Sequence, residues 1–169
     1  QERVGLHNKT FKMYKFRSMY MDAEERKKEL MAQNRHGGNL MFKLDFDPRI
    51  IGNKVLPDGT RKTGIGQFIR STSIDEFPQF FNVLKGDMSL VGTRPPLISE
   101  FEAYQQHLRA RMSVKPGITG WWGCNGRSNT TYEERLELEY YYVKNCSLYL
   151  DALCVIKTIV VILKRDGAK

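Results

Sequence analysis

The 169 residues, 41% hydrophobic and 27% charged, suffice for one domain with a buried core and exclude general disorder. A net charge of +8 and a pI near 9.4 turn the chain toward acidic partners: a nucleotide pyrophosphate, an anionic bilayer surface or nucleic acid. Cys124, Cys146 and Cys154 form no CxxC pair, which argues against a disulfide framework or zinc site and fits a reducing setting, and no apolar run reaches the length of about 18 to 20 residues that a bilayer span needs.

In chain order, Glu2 to Met19 sets Phe11, Met13 and Phe16 around Lys12 and Lys15, and this alternation predicts a strand or hairpin. Tyr20 to Arg35 is rich in helix formers, with Glu24 four residues before Lys28, and predicts a solvated helix. His36-Gly37-Gly38-Asn39 should end that helix, and Leu40 to Leu44 returns to an extended pattern. Asp45 and Asp47 could face a cation together from a strand or stand as two loop acids. His7, His36 and His107 are scattered and read as surface residues. Leu56-Pro57-Asp58-Gly59-Thr60 predicts a turn, because proline fixes φ and glycine supplies a positive φ.

The stretch Phe68 to Pro96 is the most informative. At its centre the carboxylates of Asp75 and Glu76 are adjacent, with Arg70 and Arg94 near in sequence, a set suited to chemistry on phosphate. Ser73 followed by Glu76 ahead of an apolar run predicts a capped helix starting at Ser73, with Asp75 in its first turn where the dipole favours an ionised nucleophile. On local pattern the plainer reading of the same two acids is a cap and a dipole complement, because capping boxes are common and catalytic acid pairs rare. Pro78 removes an early amide donor, and the Pro95-Pro96 pair puts Arg94 on stiff, extended backbone. A guanidinium so held suits a phosphate fork.

Leu97 to Met112 predicts a helix, with Phe101, Tyr104 and Leu108 at helical spacing and Arg109 and Arg111 complementing its C-terminus. Val114 to Gly126 reads as loop; its Trp121-Trp122 pair suits either a membrane surface, a stacked base or the core. Asn125-Gly126-Arg127 is a turn presenting an arginine. Thr131, with Glu134 three residues on, predicts the cap of a helix carrying Leu136, Leu138, Tyr141 and Tyr142. Ser147 to Lys164 predicts a long apolar helix in which Asp151 and Lys157 argue against a bilayer span and for packing on the core or lying in an interface. The fold class expected is α+β: a helix-rich single domain with short strands.

Several ordered motifs together resemble the bacterial sugar transferases, the monotopic polyprenyl-phosphate phosphoglycosyl transferases. They are Phe16-Arg17-Ser18-Met19, Phe68-Ile69-Arg70, Thr72-Ser73-Ile74-Asp75-Glu76-Phe77-Pro78-Gln79, Asn82-Val83-Leu84-Lys85-Gly86-Asp87-Met88-Ser89-Leu90-Val91-Gly92, Lys115-Pro116-Gly117-Ile118-Thr119-Gly120, Asn125-Gly126-Arg127-Ser128-Asn129 and Tyr140-Tyr141-Tyr142-Val143. The likeness covers nearly the whole chain, with Gly52 to Lys62 looking like an insertion of about ten residues, which a surface loop tolerates. It implies transfer of a phospho-sugar from a UDP-sugar to polyprenyl phosphate at the cytoplasmic face of the bacterial inner membrane. Asp75 would be the nucleophile that forms a covalent phosphosugar adduct, and Glu76 with Asp75 would organise Mg²⁺. Arg70, Arg94, Pro95, Lys115 and Arg127 would contact substrate, Arg127 by holding the donor. The family has Pro-Arg-Pro where this chain has Thr93-Arg94-Pro95, so the backbone before Arg94 is expected to be less restrained. The family's hydrophobic re-entrant helix is expected to lie before Gln1, outside this chain.

Two other classes compete with this expectation. A basic nucleic-acid-binding module would use the aromatic and basic residues of Phe11 to Phe16, but it leaves the acid pair unexplained and fits no recognised module. A catalytically silent regulatory fragment of a membrane transferase is the other. Neither the sugar nor a homo-oligomeric state is specified by the sequence.

Overall fold

The N-terminal alternation folds as the hairpin it predicts: β1 (Glu2–Val4) pairs antiparallel with β2 (Thr10–Lys12), Arg3 opposite Phe11. The protein is represented by a computed structural model that describes residues 1–31, 44–104, 106–126 and 130–164. Expectations for His36-Gly37-Gly38-Asn39, for residues 40–43 and for Arg127 fall outside the described residues. The fold class is α+β, helix-rich with short strands, and the chain forms two compact units.

One unit is built from Gln1–Lys15 and the described residues from Glu76 onward. It holds the hairpin, α3 (Gln79–Lys85), β5 (Ser89–Val91), α4 (Ile98–Glu102), β6 (Gly117–Thr119), α5 (Trp121–Asn125), α6 (Tyr132–Asn145) and α7 (Leu148–Lys164). Asn82, with no exposed surface, ties the hairpin to α3: its amide donates to the Lys12 carbonyl (2.8 Å) and its oxygen accepts from the Tyr14 N–H (3.0 Å). Gly86 ends α3 with φ of +83°, a conformation glycine adopts without a Cβ penalty. β5 runs parallel to β6, pairing Ser89 with Gly117 and Val91 with Thr119, and the bridge Thr93–Pro116 extends the pair. Around it Val91, Cys124, Tyr142, Leu150 and Cys154 form the core, with Val114, Trp121 and Leu153 against them. The three cysteines are free thiols.

Gly92, Gly117 and Gly120 meet backbone to backbone in this sheet. A Cβ on Gly92 would strike the Lys115 carbonyl, one on Gly117 the Gly92 nitrogen, and one on Gly120 the Gly92 carbonyl.

The other unit spans Phe16–Asp75. It contains α1 (Ala23–Leu30), the small hairpin of β3 (Lys54–Val55) and β4 (Arg61–Lys62), and α2 (Ile65–Ser71). Gly59 takes φ of +82° in the predicted turn between β3 and β4. Arg49 engages both Asp47 carboxylate oxygens, at 2.9 and 2.7 Å, while Asp45 is exposed.

Four local expectations are corrected. Ser73 does not cap a helix: it sits at φ of +57° after α2, Ile74–Glu76 forms a single 3₁₀ turn, and α3 begins only at Gln79, just after Pro78. Asp75 therefore lies ahead of the α-helical first turn, and the dipole argument for its ionisation loses its basis. Leu97 to Met112 is not one helix; α4 stops at Glu102 and a 3₁₀ segment spans Gln106–Ser113. Val114 to Gly126 is not loop, since it supplies β6 and α5. In α6 the Thr131 cap forms as predicted, its hydroxyl accepting from the Glu134 N–H (3.2 Å) while Glu134 accepts from the Thr131 N–H (2.8 Å). The buried face of α6, however, is Arg135, Glu139 and Tyr142, whereas Leu136 and Leu138 are half-buried and Tyr141 is exposed.

Candidate active site

Asp75 is 5% exposed, and its carbonyl accepts from the Phe16 N–H at 3.0 Å. Arg70, half-buried in the last turn of α2, belongs to the same unit, and its carbonyl accepts from the Ser73 N–H at 3.1 Å. Glu76, the first residue of the other unit's second segment, is half-buried, with Lys15 Nζ 3.3 Å from its carboxylate. The exposed pair contributes little to stability.

Arg94, Pro95 and Lys115 share the unit of Glu76. Arg94 follows the Thr93–Pro116 bridge and is exposed, while Thr93 is 1% exposed and Pro95 is buried. Dense surroundings desolvate Arg94 first, and Arg135 then adds repulsion; together these lower its pKa, with Glu100, Glu139 and Glu76 opposing. The exposed surface is what a ligand meets, and arginine remains a cation throughout the physiological range.

Behind Arg94 stands a buried charge cluster that the sequence reading missed. Arg111, 1% exposed, ion-pairs with Glu139, 2% exposed, donates to the Tyr104 hydroxyl (3.0 Å) and donates to the Arg94 carbonyl (3.2 Å). Arg135 Nε reaches Glu139 at 3.3 Å, and its guanidinium lies 4.8 Å from the Trp122 ring centre, with that of Arg94 5.8 Å from the same ring. Trp122 is fixed by its Nε1–H, which donates to the Thr130 hydroxyl at 2.8 Å. Arg3 donates to the Pro95 carbonyl at 3.2 Å; burial first, then Arg94, pushes its pKa down to about 10. Burial is the largest influence on Arg135 and pulls its pKa down as well, but Glu139, Tyr104 and Glu100 together outweigh it and the net shift is upward.

Four guanidiniums, Arg3, Arg94, Arg111 and Arg135, thus face the carboxylates of Glu100 and Glu139, and Arg135 Nη2 finds no hydrogen-bond partner among the described residues. A surplus of cations held close together is an anion-binding arrangement. Arg111, expected to complement a helix C-terminus, instead supports Arg94 from inside. The available signal was the Arg135/Glu139 spacing of four on the capped helix, which matches a buried stripe as well as an exposed pair.

Lys115 is exposed and lines an open cleft of about 330 Å³ with Ser89, Tyr142 and Asp151, where the Tyr142 hydroxyl donates to Asp151 at 2.6 Å. Neither the acid pair nor Arg94 lines that cleft. Both tryptophans are half-buried, with Trp121 stacked on Tyr141 at 5.4 Å. In Phe11 to Phe16, Met13 is buried and Phe11 half-buried, Tyr14 and Phe16 are exposed, and Lys85 donates to the Tyr14 hydroxyl at 2.8 Å.

Among the described residues no group of three His, Cys, Asp or Glu converges on a point.

The family described as bacterial sugar transferase matches residues 1–165. The chain is 49% identical to the galactosyl transferase CpsE of Streptococcus agalactiae, over all of this chain and 35% of that protein. It is 46% identical to the undecaprenyl-phosphate galactose phosphotransferase of Salmonella typhimurium, over 99% of this chain and 33% of that protein. Identity to an Aeromonas hydrophila protein named UDP-N-acetylgalactosamine-undecaprenyl-phosphate N-acetylgalactosaminephosphotransferase is 40%, over all of this chain and 36% of that protein. The chain therefore spans about a third of the length of these curated relatives.

Proposed function

Since the chain belongs to the bacterial sugar transferase family, we propose that it transfers a phospho-sugar from a UDP-sugar to polyprenyl phosphate through a covalent intermediate on Asp75. An Asp75 carboxylate oxygen attacks the sugar-bearing phosphorus of the donor, the bond to the bridging oxygen breaks, and UMP leaves with that oxygen and its electron pair. A polyprenyl phosphate oxygen then attacks the same phosphorus, and the Asp75 carboxylate departs, yielding the lipid-linked diphospho-sugar. Both steps bring anion to anion, so positive charge must be placed beforehand where negative charge gathers. Asp75 and Glu76 would hold Mg²⁺, which neutralises charge on the diphosphate. Arg70 and Arg94 are assigned to donor phosphates, with Arg127 and Lys115 as further substrate contacts.

The observation that carries this reading is the surplus of guanidiniums around Arg94 in the unit that also holds Glu76. It is tested by incubating the protein, with its membrane element, with a panel of UDP-sugars, Mg²⁺ and polyprenyl phosphate. A lipid-linked product and released UMP are expected with one or a few donors, and no product with any would overturn the reading.

The place of action in this reading is the cytoplasmic face of the inner membrane. No helix among the described residues is long and apolar enough to cross a membrane. Yet α3 exposes Phe80, Phe81 and, at 83%, Leu84, and α7 exposes Leu148, Tyr149, Ile156 and Leu163. Apolar side chains of this kind beside a net charge of +8 suit an anionic lipid surface. The 169-residue chain should bind anionic vesicles at low salt and release in 1 M salt, where the Debye length falls to about 3 Å. Co-sedimentation across a salt series checks this; absence of binding at low salt would overturn it.

A further inference from the structure

We propose that Thr93 and Arg111 form a two-way clasp that sets Arg94, making both of them positioning residues for its guanidinium; the proposal rests on reading Arg94 as a donor-phosphate contact. The Thr93 hydroxyl donates to the Arg111 carbonyl at 3.2 Å, and Arg111 Nη2 donates in return to the Arg94 carbonyl at 3.2 Å. The two bonds lie on either side of the Arg94 Cα, so they restrain the backbone torsions that aim its side chain. Pro95 limits Arg94 further to extended backbone, and Arg3 holds the Pro95 carbonyl.

A proline before Arg94, as in the resembling family, would stiffen this stretch through its ring. Thr93 does so by another route, and the expectation of a less restrained backbone is corrected. Its side chain is 1% exposed, its carbonyl accepts from the Gly117 N–H at 3.0 Å, and its hydroxyl recruits a residue 18 positions away. Arg111 is itself held by Glu139 and the Tyr104 hydroxyl, so the far jaw of the clasp cannot drift. The setting of Arg94 is thereby tied to a part of the chain that touches no substrate in the proposed reaction.

Two substitutions at one position separate positioning from packing. Thr93→Val keeps the buried volume and loses the hydroxyl, whereas Thr93→Ser keeps the hydroxyl and loses a methyl. Loss of one such bond corresponds to about a tenfold change. Thr93→Val should therefore raise the donor KM about tenfold with kcat nearly unchanged, and should lower the NMR order parameter of Arg94 Nε–H. Thr93→Ser should keep wild-type KM and order while melting at lower temperature. In an Arg94→Ala background, Thr93→Val should add nothing to KM. Arg111→Lys, which retains charge for Glu139 but not the second fork nitrogen, should reproduce the Val result if that variant fails to fold.

A KM that tracks melting temperature across the Val and Ser variants would overturn the clasp, as would a folded Thr93→Val with wild-type KM and Arg94 order. If wild type turns over no UDP-sugar, the functional reading fails, and the order parameters of the two variants alone decide whether Thr93 sets Arg94.

Discussion

Purified Asp75→Asn should lose essentially all turnover while folding and melting like wild type. The amide nitrogen and oxygen are poor nucleophiles toward phosphorus, so the covalent step has no replacement, and losses of about 10⁴ to 10⁶ in kcat are typical when a nucleophile is removed. Asp75 is 5% exposed, but asparagine matches its size, so a stability change need not accompany the loss. Mass spectrometry after quenching with donor alone provides a second readout: a phosphosugar adduct should appear on the peptide carrying Asp75 and vanish in the variant. Residual activity above about one per cent, against losses of the size typical for a missing nucleophile, would remove Asp75 from the role.

The largest stability effect should come from Glu139→Ala. Glu139 is the only carboxylate that ion-pairs with Arg111 and Arg135 among the described residues, and all three are nearly inaccessible to water. Deleting it leaves two buried cations without their ion-pair partner, a change that costs about 3 to 5 kcal/mol when one partner of a buried pair is removed. At roughly 2 to 4 °C per kcal/mol for a chain of this size, the melting temperature should drop by about 10 °C. Glu139→Gln should show a smaller drop, since the amide oxygen can still accept from Arg135. A shift of less than about 2 °C for Glu139→Ala would mean that water already reaches the cluster and that its charges are solvated.

Patterns that are local in the chain were readable before the fold. The β1–β2 hairpin, the Thr131–Glu134 cap and the long helix after Ser147 follow from alternation, capping chemistry and apolar run length, each decided within about 15 residues. The acid pair stands out in the sequence because two adjacent carboxylates beside arginines are an uncommon combination. Ser73 misled because the same Ser-to-Glu spacing also fits a residue leaving α2 in the left-handed region, and nothing local distinguishes the two. The buried face of α6 was not legible for a different reason. Charged residues are ordinarily placed outside, but Arg135 and Glu139 are tolerated within because Arg111 arrives from a segment over twenty residues earlier to complete the ion pairs. Arg3 reaches Pro95 across 92 positions. Such pairings exist only once distant segments meet, so no window of sequence contains them.

The contact of Gly92 with Gly117 and Gly120 makes the alignment of β5 on β6 an all-or-nothing matter. Sliding one strand by a single residue would bring Val91 or Pro116 into spaces that admit no side-chain carbon, so intermediate alignments have nowhere to go. Position along the strand is thus quantised in steps of about 3.3 Å, and only one step is sterically open. Arg94, two residues beyond Gly92, inherits that choice: the place from which its side chain departs is fixed by atoms that three residues lack.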